Sequence, residues 1–399
     1  MDKPAATVSV TYEDGEVYDY YIGNAVNGKN NKYYMSIEQL NLKSNPFRLT
    51  PSIDSKEIIW AGFPEIKRKI ENRIKRSISI PNSSLILNWG EYGSGKTHAS
   101  RYFNKQDVLE KLADTNTIPF SINLSFPKSK EPVKELYTQV IDRIDFGELR
   151  SRVNEKFHDL NEVMNIITQN TLIRQVLCLL FDNEESLMEI REYLYGGSFR
   201  KLSSKGIIRK LSSDNDYIDL ITSLFSLLTY EKKVYSVIIL WIDEFEDISI
   251  LNTSSISNIN SFVRSLIDKA SNNLLLFLNL TQSAMMDVED LGEYLQEAVK
   301  SRIKERIEFN MPNSLELKEY LEELLNNPLY RDEPCTGSQR FYPFEEDVID
   351  QVIKDLGNTS LRRYNEAFSL LLENAIYDEK KNIDIAYYDD IKSEIIGWK

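Results

Sequence analysis

The sequence contains few residues able to form disulfide bonds or to bind transition metals. Only two cysteines (Cys178, Cys335) and two histidines (His98, His158) occur among 399 residues, and they lie far apart. This scarcity excludes a disulfide-stabilised scaffold and a zinc site with the usual ligand spacing. Long apolar stretches are also missing, since the longest unbroken one has six residues, whereas a membrane-spanning helix needs roughly 20. We therefore expect no membrane association.

The charge balance is strongly acidic. Lys and Arg number 48 and Asp and Glu number 62, which gives a formal net charge of −14. A mean field of this sign repels polyanions, so we do not expect the chain to bind a nucleic-acid backbone over its whole surface. A hydrophobic content of 42% and a charged content of 28% are typical of a folded globular chain. The first residues lack a basic head followed by an apolar run, so we expect a cytoplasmic protein.

The first 44 residues predict a small β region. Apolar and polar residues alternate from Val8 to Tyr12, Asp14-Gly15 is a typical two-residue turn, and Val17–Ile22 predicts the partner strand. Asn27-Gly28 predicts a second, weaker turn. Two interpretations remain open for this region: an accessory sheet, or a docking surface for a partner.

Beyond residue 45, segments of strand and helix character alternate. The predicted strands are Ser84–Trp89, Ile118–Phe126, Val237–Ile242 and Leu274–Leu280. Continuous apolar strands are typical of a parallel sheet that helices cover on both faces. Apolar residues with a 3.6-residue period predict helices over residues 64–76, 96–111, 133–144, 172–180, 187–195, 217–230, 315–325, 346–356 and 361–376. The alternation predicts an α/β fold.

A glycine-rich segment after the first predicted strand matches the phosphate-loop pattern at every fixed position. It consists of Gly90, Glu91, Tyr92, Gly93, Ser94, Gly95, Lys96 and Thr97. Glycines let successive backbone N–H groups turn inward around an anion, and the following helix directs its N-terminal dipole at the same point. Lys96 is predicted to pair with the β- and γ-phosphates of ATP, and Thr97 to ligate Mg²⁺. His98 borders this cofactor-binding segment and is expected to be a packing or solvent-facing residue, not a base.

The second half of such a site is predicted at the end of a buried strand. Val237–Ile242 runs directly into Asp243 and Glu244. Asp243 is predicted to hold Mg²⁺ through water, and Glu244 to orient and deprotonate the attacking water. Glu246 and Asp247 lie beyond the strand and are expected to be solvated.

Together these motifs resemble those of the AAA+ ATPase superfamily, and of its initiator-like, origin-recognition type branch. GEYGSGKT is similar to the Walker A motif and VIILWIDEFE to the Walker B motif, and the similarity extends over roughly residues 45–380. The resemblance implies a P-loop NTPase with a three-layer αβα parallel sheet and a C-terminal helical lid. We predict five regions, which are an N-terminal β accessory region (1–44), the first part of the ATPase core (45–145), a helical insertion (146–232), the second part of the core (233–312) and the lid (313–399).

The same resemblance implies a polar sensor after the strand Leu274–Leu280. Thr281 or Gln282 would be this catalytic residue, because the strand end points at the nucleotide. Asn279 is the less favoured alternative.

Two arginines also take roles only through the resemblance. Arg302 would be an arginine finger that a neighbouring subunit presents to the γ-phosphate; the alternative is a surface arginine in a basic run. Arg362 would reach from the lid to the phosphate, with Arg363 as the rival if the register differs by one residue.

We therefore predict a Mg²⁺-dependent ATPase of AAA+ type that uses ATP and assembles as a homo-oligomer. Initiators carry a winged-helix DNA-binding domain after the lid, and this sequence ends soon after it. DNA contact is accordingly expected through a protein effector such as a nuclease or transposase, in a mobile-element or antiviral (antiphage) defence system. The insertion has two open interpretations: a packed helical subdomain, or a contact arm for nucleic acid or a partner. The alternative function is an ATP-gated scaffold with little turnover.

Overall fold

The structure, a computed structural model, describes residues 7–11, 17–21, 24–25, 35–49, 54–113, 117–270, 273–282 and 291–397. In the N-terminal region, strands β1 (Thr7–Thr11) and β2 (Val17–Tyr21) pair antiparallel, and β3 (Asn24–Ala25) pairs with β2. This confirms the predicted hairpin. The two predicted turns, Asp14-Gly15 and Asn27-Gly28, lie outside the described residues.

A five-stranded parallel sheet organises the main part of the chain. Its strands are β4 (Ser84–Glu91), β5 (Phe120–Ser125), β6 (Ile238–Asp243), β7 (Leu274–Gln282) and β8 (Ile303–Phe309). They lie in the order β5-β6-β7-β4-β8, and every neighbouring pair is parallel. The carboxyl ends of β4, β6 and β7 therefore meet at one edge, which is where the predicted phosphate loop and acidic pair follow in sequence.

The helices cover both faces of this sheet and extend beyond it. Those of the described residues are α1 (Pro64–Ser79), α2 (Lys96–Tyr102), α3 (Gln106–Leu112), α4 (Pro132–Asp142), α5 (Phe146–Lys156), α6 (Leu160–Ile167), α7 (Thr171–Phe181), α8 (Leu187–Leu194), α9 (Asp214–Leu228), α10 (Thr253–Lys269), α11 (Leu291–Tyr294), α12 (Glu297–Lys300), α13 (Ser314–Leu325), α14 (Glu346–Leu356), α15 (Leu361–Tyr377) and α16 (Ile385–Ile396). No helix within the described ranges combines the length and the apolar character that a bilayer crossing requires.

One predicted helix is wrong in extent. Residues 96–111 form two helices, α2 and α3, because Asn104 and Lys105 direct their N–H groups to the carbonyls three residues earlier, which closes a turn. Phe103 is buried at this turn, with its ring 6.4 Å from that of Trp241. The chain thus changes direction where an aromatic side chain enters the core.

The sheet separates two apolar layers, as the alternation of side chains along a strand requires. Leu85 and Leu87 of β4 pack with helices α4 to α10 on one face, whereas Ile86 packs with α1, α2 and α3 on the other. The helices of the predicted insertion, α5 to α9, share the first of these cores, so they are continuous with the sheet domain.

The chain divides into two compact units. The larger comprises Phe47–Leu324 and Ile353–Glu366, and contains the five-stranded sheet and the start of α15. The smaller comprises the described residues of Met1–Pro46, Leu325–Val352 and Ala367–Lys399. In the smaller unit Arg331 is 1% exposed, and its guanidinium donates to the Asn41 carbonyl (3.0 Å), the Asn326 side-chain oxygen (2.9 Å) and the Tyr342 carbonyl.

Candidate nucleotide site

The segment between β4 and α2 adopts a backbone that only glycine tolerates easily. Gly93 and Gly95 have φ angles of 76° and 99°, in the left-handed region that a Cβ disfavours. Gly90 is required for a different reason: a Cβ there would lie 2.4 Å from the Phe309 carbonyl oxygen of the neighbouring strand β8. The glycines of the phosphate-loop pattern therefore have structural explanations within this chain.

Lys96 lies buried at the centre of this loop. Its Nζ donates to the carbonyl oxygens of Gly90 (2.8 Å) and Glu91 (2.9 Å), and its side chain is nearly inaccessible to solvent. Burial lowers the pKa of the Lys96 ammonium from its ordinary 10.5 to about 8, while the carboxylates of Glu246, Asp243 and Glu91 act in the opposite direction. A partly desolvated cation held by carbonyl groups is well placed to pair with an incoming phosphate.

Asn279 joins the phosphate loop to the end of β6. Its side-chain Nδ2 donates to Asp243 Oδ1 (3.2 Å) and to the Lys96 carbonyl (3.4 Å). Its Oδ1 accepts a hydrogen bond of 2.8 Å from Asn88 Nδ2 of β4. Residues 96 and 243, which are far apart in sequence, therefore share one hydrogen-bonded network.

The two residues favoured from sequence for the sensor position lie elsewhere. The Thr281 backbone N–H donates to Glu246 Oε2 (2.9 Å), and Gln282 Oε1 accepts from the Trp89 indole (3.1 Å). Asn279 is the residue that contacts Asp243. In sequence, Asn279 resembles a core residue because it lies inside an apolar strand. Only the pairing of β7 with β4 in the structure places it opposite Asn88.

The two glutamates after β6 have different surroundings. Glu244 takes a left-handed backbone (φ 59°), and its exposed carboxylate lies 3.4 Å from Lys128 Nζ, which is also 3.1 Å from Asp247. Glu246, by contrast, is half-buried and accepts the Thr281 N–H. The expectation that Glu246 is solvated is therefore wrong, because the short 3-10 helix after Glu244 turns it back toward β7.

Arg362 contacts the phosphate loop within the larger unit. Its guanidinium donates to the Tyr92 hydroxyl and lies 4.7 Å from the centroid of the Tyr92 ring. A Cβ on Gly93 would lie 3.0 Å from Ser360 Oγ and 3.1 Å from Arg362 Cβ, so this close approach also depends on glycine. The rival residue Arg363 pairs with Glu366 instead.

Arg302 lies at the opposite edge of the sheet. It directly precedes β8, whose carboxyl end is beside the phosphate loop. Its guanidinium makes two hydrogen bonds of 2.7 Å to the two carboxylate oxygens of Asp268, which raises the pKa of Arg302. Within its own chain Arg302 is therefore held away from Lys96.

His98 behaves as a packing residue. Its Nε2 lies 2.6 Å from the Ile59 carbonyl oxygen, and its ring is close to Trp60. Burial lowers the pKa of His98, so the neutral ring is favoured. Trp60 itself packs against Tyr102 and Phe103, with ring centroids 5.3 Å and 5.6 Å away.

A metal ion at this site would need ligands from the nucleotide. The described residues contain no cluster of three His, Cys, Asp or Glu side chains that could hold a metal alone. The Thr97 hydroxyl and the Asp243 carboxylate are hard oxygen donors of the kind that Mg²⁺ prefers, and Mg²⁺ commonly completes its shell with phosphates and water. The residues present therefore fit Mg²⁺ bound together with a nucleotide.

The chain is similar to several solved structures. The ORC2 protein of Aeropyrum pernix, described in ADPNP–ADP complexes, aligns with a TM-score of 0.53 and 14% identity over 89% of this chain and 72% of that one. The Cdc6p protein of Pyrobaculum aerophilum aligns with a TM-score of 0.47 and 13% identity over 89% and 72% of the two chains. The ORC1 protein of Aeropyrum pernix, solved with DNA, gives 0.46 and 14% over 89% and 70%.

The chain has an α/β P-loop NTPase fold. This follows from the five-stranded parallel sheet together with the likeness to the first of these structures. No protein-family model matches the sequence, and no curated protein matches it. At these identities the likeness concerns the fold, so the chemistry has to be argued from the site.

Proposed function

We propose that the chain is a Mg²⁺-dependent ATPase of AAA+ type that hydrolyses ATP to ADP and phosphate. The observation that carries this proposal is that Asn279 hydrogen-bonds both the main-chain carbonyl of Lys96 and the carboxylate of Asp243. A phosphate-binding lysine and a strand-end carboxylate in one network are the two halves of a phosphoryl-transfer site. The fold likeness to an archaeal ORC2 protein described in ADPNP–ADP complexes supports a nucleotide ligand.

Each residue has a distinct proposed role. The backbone of residues 90–95 and the Lys96 ammonium bind the phosphates, and Arg362 adds a cation from the other side of the loop. Thr97 and Asp243 hold Mg²⁺, which when bound neutralises charge that develops on the phosphate oxygens. Glu244 orients the attacking water and accepts its proton. Because Glu244 is close to Lys128, the proton-accepting step requires its carboxylate to leave that ion pair.

We propose that hydrolysis occurs at an interface between copies of this chain. Arg302 lies at the sheet edge away from its own phosphate loop, so it can reach a γ-phosphate only in a neighbouring subunit. Its bidentate bond to Asp268 would have to open on assembly. ATP hydrolysis would then change the packing between neighbouring subunits and drive a conformational change in a partner complex.

The partner is proposed to be a protein effector, such as a nuclease or transposase, in a mobile-element or antiviral defence system in the cytoplasm. The insertion supports indirect rather than direct DNA contact. Lys201 pairs with Glu192 (3.2 Å), Lys205 with Glu185, and Arg209 with Asp216 (2.7 Å). These basic residues thus neutralise acids of the same subdomain, and this pairing favours a packed helical subdomain over a nucleic-acid arm.

Phosphate release from ATP tests the proposed activity. We expect Mg²⁺-dependent turnover in the native protein and none in Lys96→Ala, which should also lose ATP affinity. Glu244→Gln should bind ATP with native affinity yet turn over at least about 100-fold more slowly, since it removes the general base. Native turnover in purified Glu244→Gln would contradict the role given to that residue.

An ATP-gated scaffold is the second candidate, and one observation favours it. Lys128 pairs with both Glu244 and Asp247, which keeps the proposed base occupied in the isolated chain. A scaffold predicts tight ATP binding with less than one turnover per hour, both alone and with the effector present. Sustained phosphate release under either condition excludes it.

A further inference from the structure

Asn88 occupies an unusual position in the core of the sheet. It lies on β4 directly opposite Asn279 of β7, and its neighbours from Leu85 to Trp89 are apolar. Both asparagine side chains are fully buried. On the other side of β7, Ile242 lies opposite Leu278, so the next residue, Asp243, lies at the level of Asn279. Three neighbouring strands thus contribute one polar row, Asn88–Asn279–Asp243.

The direction of the hydrogen bonds along this row is fixed. A side-chain amide has an oxygen that accepts and an NH₂ group that donates, and the NH₂ group of Asn279 faces two acceptors, Asp243 Oδ1 and the Lys96 carbonyl. Only the NH₂ group attracts a carboxylate, whereas the oxygen repels it. Asn88 Nδ2 donates to Asn279 Oδ1 at 2.8 Å, which leaves Asn279 Nδ2 for Asp243 (3.2 Å). A reversed Asn279 would lose these two hydrogen bonds and also the one to the Lys96 carbonyl.

Asn88 makes this contact at a cost to the fold. Its own Oδ1 is buried and has no hydrogen-bond partner in the described part of the chain. An unpaired buried carbonyl destabilises the folded state, and an apolar residue of similar size at this strand position would avoid that penalty. Packing therefore does not explain an asparagine here, whereas its effect on Asn279 does.

We propose that Asn88 is a positioning residue that sets the amide orientation of Asn279, and through it the Asp243 carboxylate. The Asn88 side chain donates to Asn279, and Asn279 in turn donates to Asp243 Oδ1. One carboxylate oxygen of Asp243 is thus engaged by a donor, and the other would be available to Mg²⁺ or its water. This inference deepens the proposed ATPase function and depends on it, since Asp243 matters only if Mg²⁺ binds with the nucleotide.

The test measures the gain in ATP affinity that Mg²⁺ produces, by titrating a fluorescent ATP analogue with excess Mg²⁺ and with EDTA. Asn88→Leu removes the donor, and Asn88→Asp replaces it with an acceptor that favours the reversed Asn279. We expect both variants to keep the affinity measured in EDTA and to lose about tenfold of the Mg²⁺-dependent gain, the effect of one hydrogen bond to a charged group.

Two controls separate positioning from a general loss of structure. Asn123→Leu, on β5, also removes a buried side-chain oxygen that has no partner among the described residues, but Asn123 donates to the Ser100 carbonyl and not to Asn279. This variant should leave the Mg²⁺-dependent gain at its native value. In an Asn279→Leu background, Asn88→Leu should have no further effect, because Asn88 acts only through Asn279. Thermal unfolding of each variant reports whether the fold is intact.

The outcomes distinguish failure of the inference about Asn88 from failure of the proposed ATPase function. If Asn279→Leu loses the Mg²⁺-dependent gain while both Asn88 variants keep it, Asn88 is not a positioning residue and the proposed function stands. Additive effects of the Asn88 and Asn279 substitutions would overturn the inference in the same way. If Mg²⁺ does not raise the ATP affinity of the native protein, the proposed function fails and the inference fails with it.

Discussion

At the scale of single residues, the site depends on how charged groups are held before any nucleotide arrives. Lys96 is buried among carbonyl oxygens, and its pKa of about 8 reflects the loss of water around the ammonium. A phosphate that replaces those contacts restores a strong charge-assisted hydrogen bond. The loop thus holds a poorly hydrated cation, and we expect a bound phosphate to compensate for the lost hydration.

This arrangement predicts a pH dependence of ATP binding. Phosphate binding requires the protonated Lys96, whose pKa in the folded protein lies below its ordinary 10.5. The affinity should therefore be nearly constant below about pH 7, fall about twofold by pH 8, and fall by up to about tenfold per pH unit above that. Fluorescence titrations at several pH values measure it, with Lys96→Met as a control that should bind weakly and without this slope. A flat native profile up to pH 10 would contradict the assignment.

The two glutamates after β6 allow a paired comparison. Glu246 accepts the Thr281 N–H through an oxygen that a glutamine retains, so Glu246→Gln should keep turnover within about threefold of native. Glu244→Gln should lose at least about 100-fold. Phosphate release from both variants, with ATP binding as the control, identifies the base. The reverse ranking would assign that role to Glu246.

At the scale of secondary-structure elements, much of the sheet domain is predictable from sequence. β6 and β7 are apolar runs with polar ends, and the glycine loop identifies β4, which pairs with β7. The predicted αβα layering is confirmed, since helices cover both faces of these apolar strands. Interruptions are harder to predict: the turn between α2 and α3 depends on where Phe103 enters the core, which the apolar periodicity does not show.

The sequence could not predict which side chains on different strands and helices contact each other. The contact between Asn279 and Asp243 depends on the register of β6 and β7, and the Arg302–Asp268 pair joins residues on separate elements. The sequence did not indicate that Glu246 is half-buried, because the left-handed backbone at Glu244 reverses the direction of the chain after β6. The five predicted regions, and the roles of the site residues, remain predictions.

The smaller unit offers a stability test at the element scale. Arg331 is buried and donates to two carbonyl groups and one side-chain amide oxygen, so Arg331→Met should remove three hydrogen bonds and lower the free energy of unfolding by about 3 kcal/mol, although Asn326 Oδ1 keeps the Cys335 N–H. Lys43→Met, which removes an exposed ion pair with Asp332 in the same unit, should cost no more than about 1 kcal/mol. Chemical denaturation measures both. Equal effects would show that burial of Arg331 contributes little.

At the scale of the whole molecule, the proposal requires two copies of the chain for one reaction. Mixing Lys96→Ala with Arg302→Ala protein creates interfaces in which an intact phosphate loop faces an intact Arg302. Each variant alone should be inactive, and the mixture should recover a measurable fraction of native phosphate release. Lys96→Ala and Glu244→Gln each lack a residue on the nucleotide-binding side of the interface. A mixture of these two variants should therefore recover no phosphate release. Activity of Arg302→Ala alone would exclude the finger role.

Lys96 and Asp243 are proposed to belong to one Mg²⁺–ATP site, and all the other roles depend on this. The most direct test is the ATP affinity of native protein and of Asp243→Asn, each measured with Mg²⁺ and with EDTA. We expect Mg²⁺ to raise the native affinity at least about tenfold, and Asp243→Asn to keep the EDTA value while losing most of that gain. An equal Mg²⁺-dependent gain in the two proteins would show that Asp243 is not part of the site.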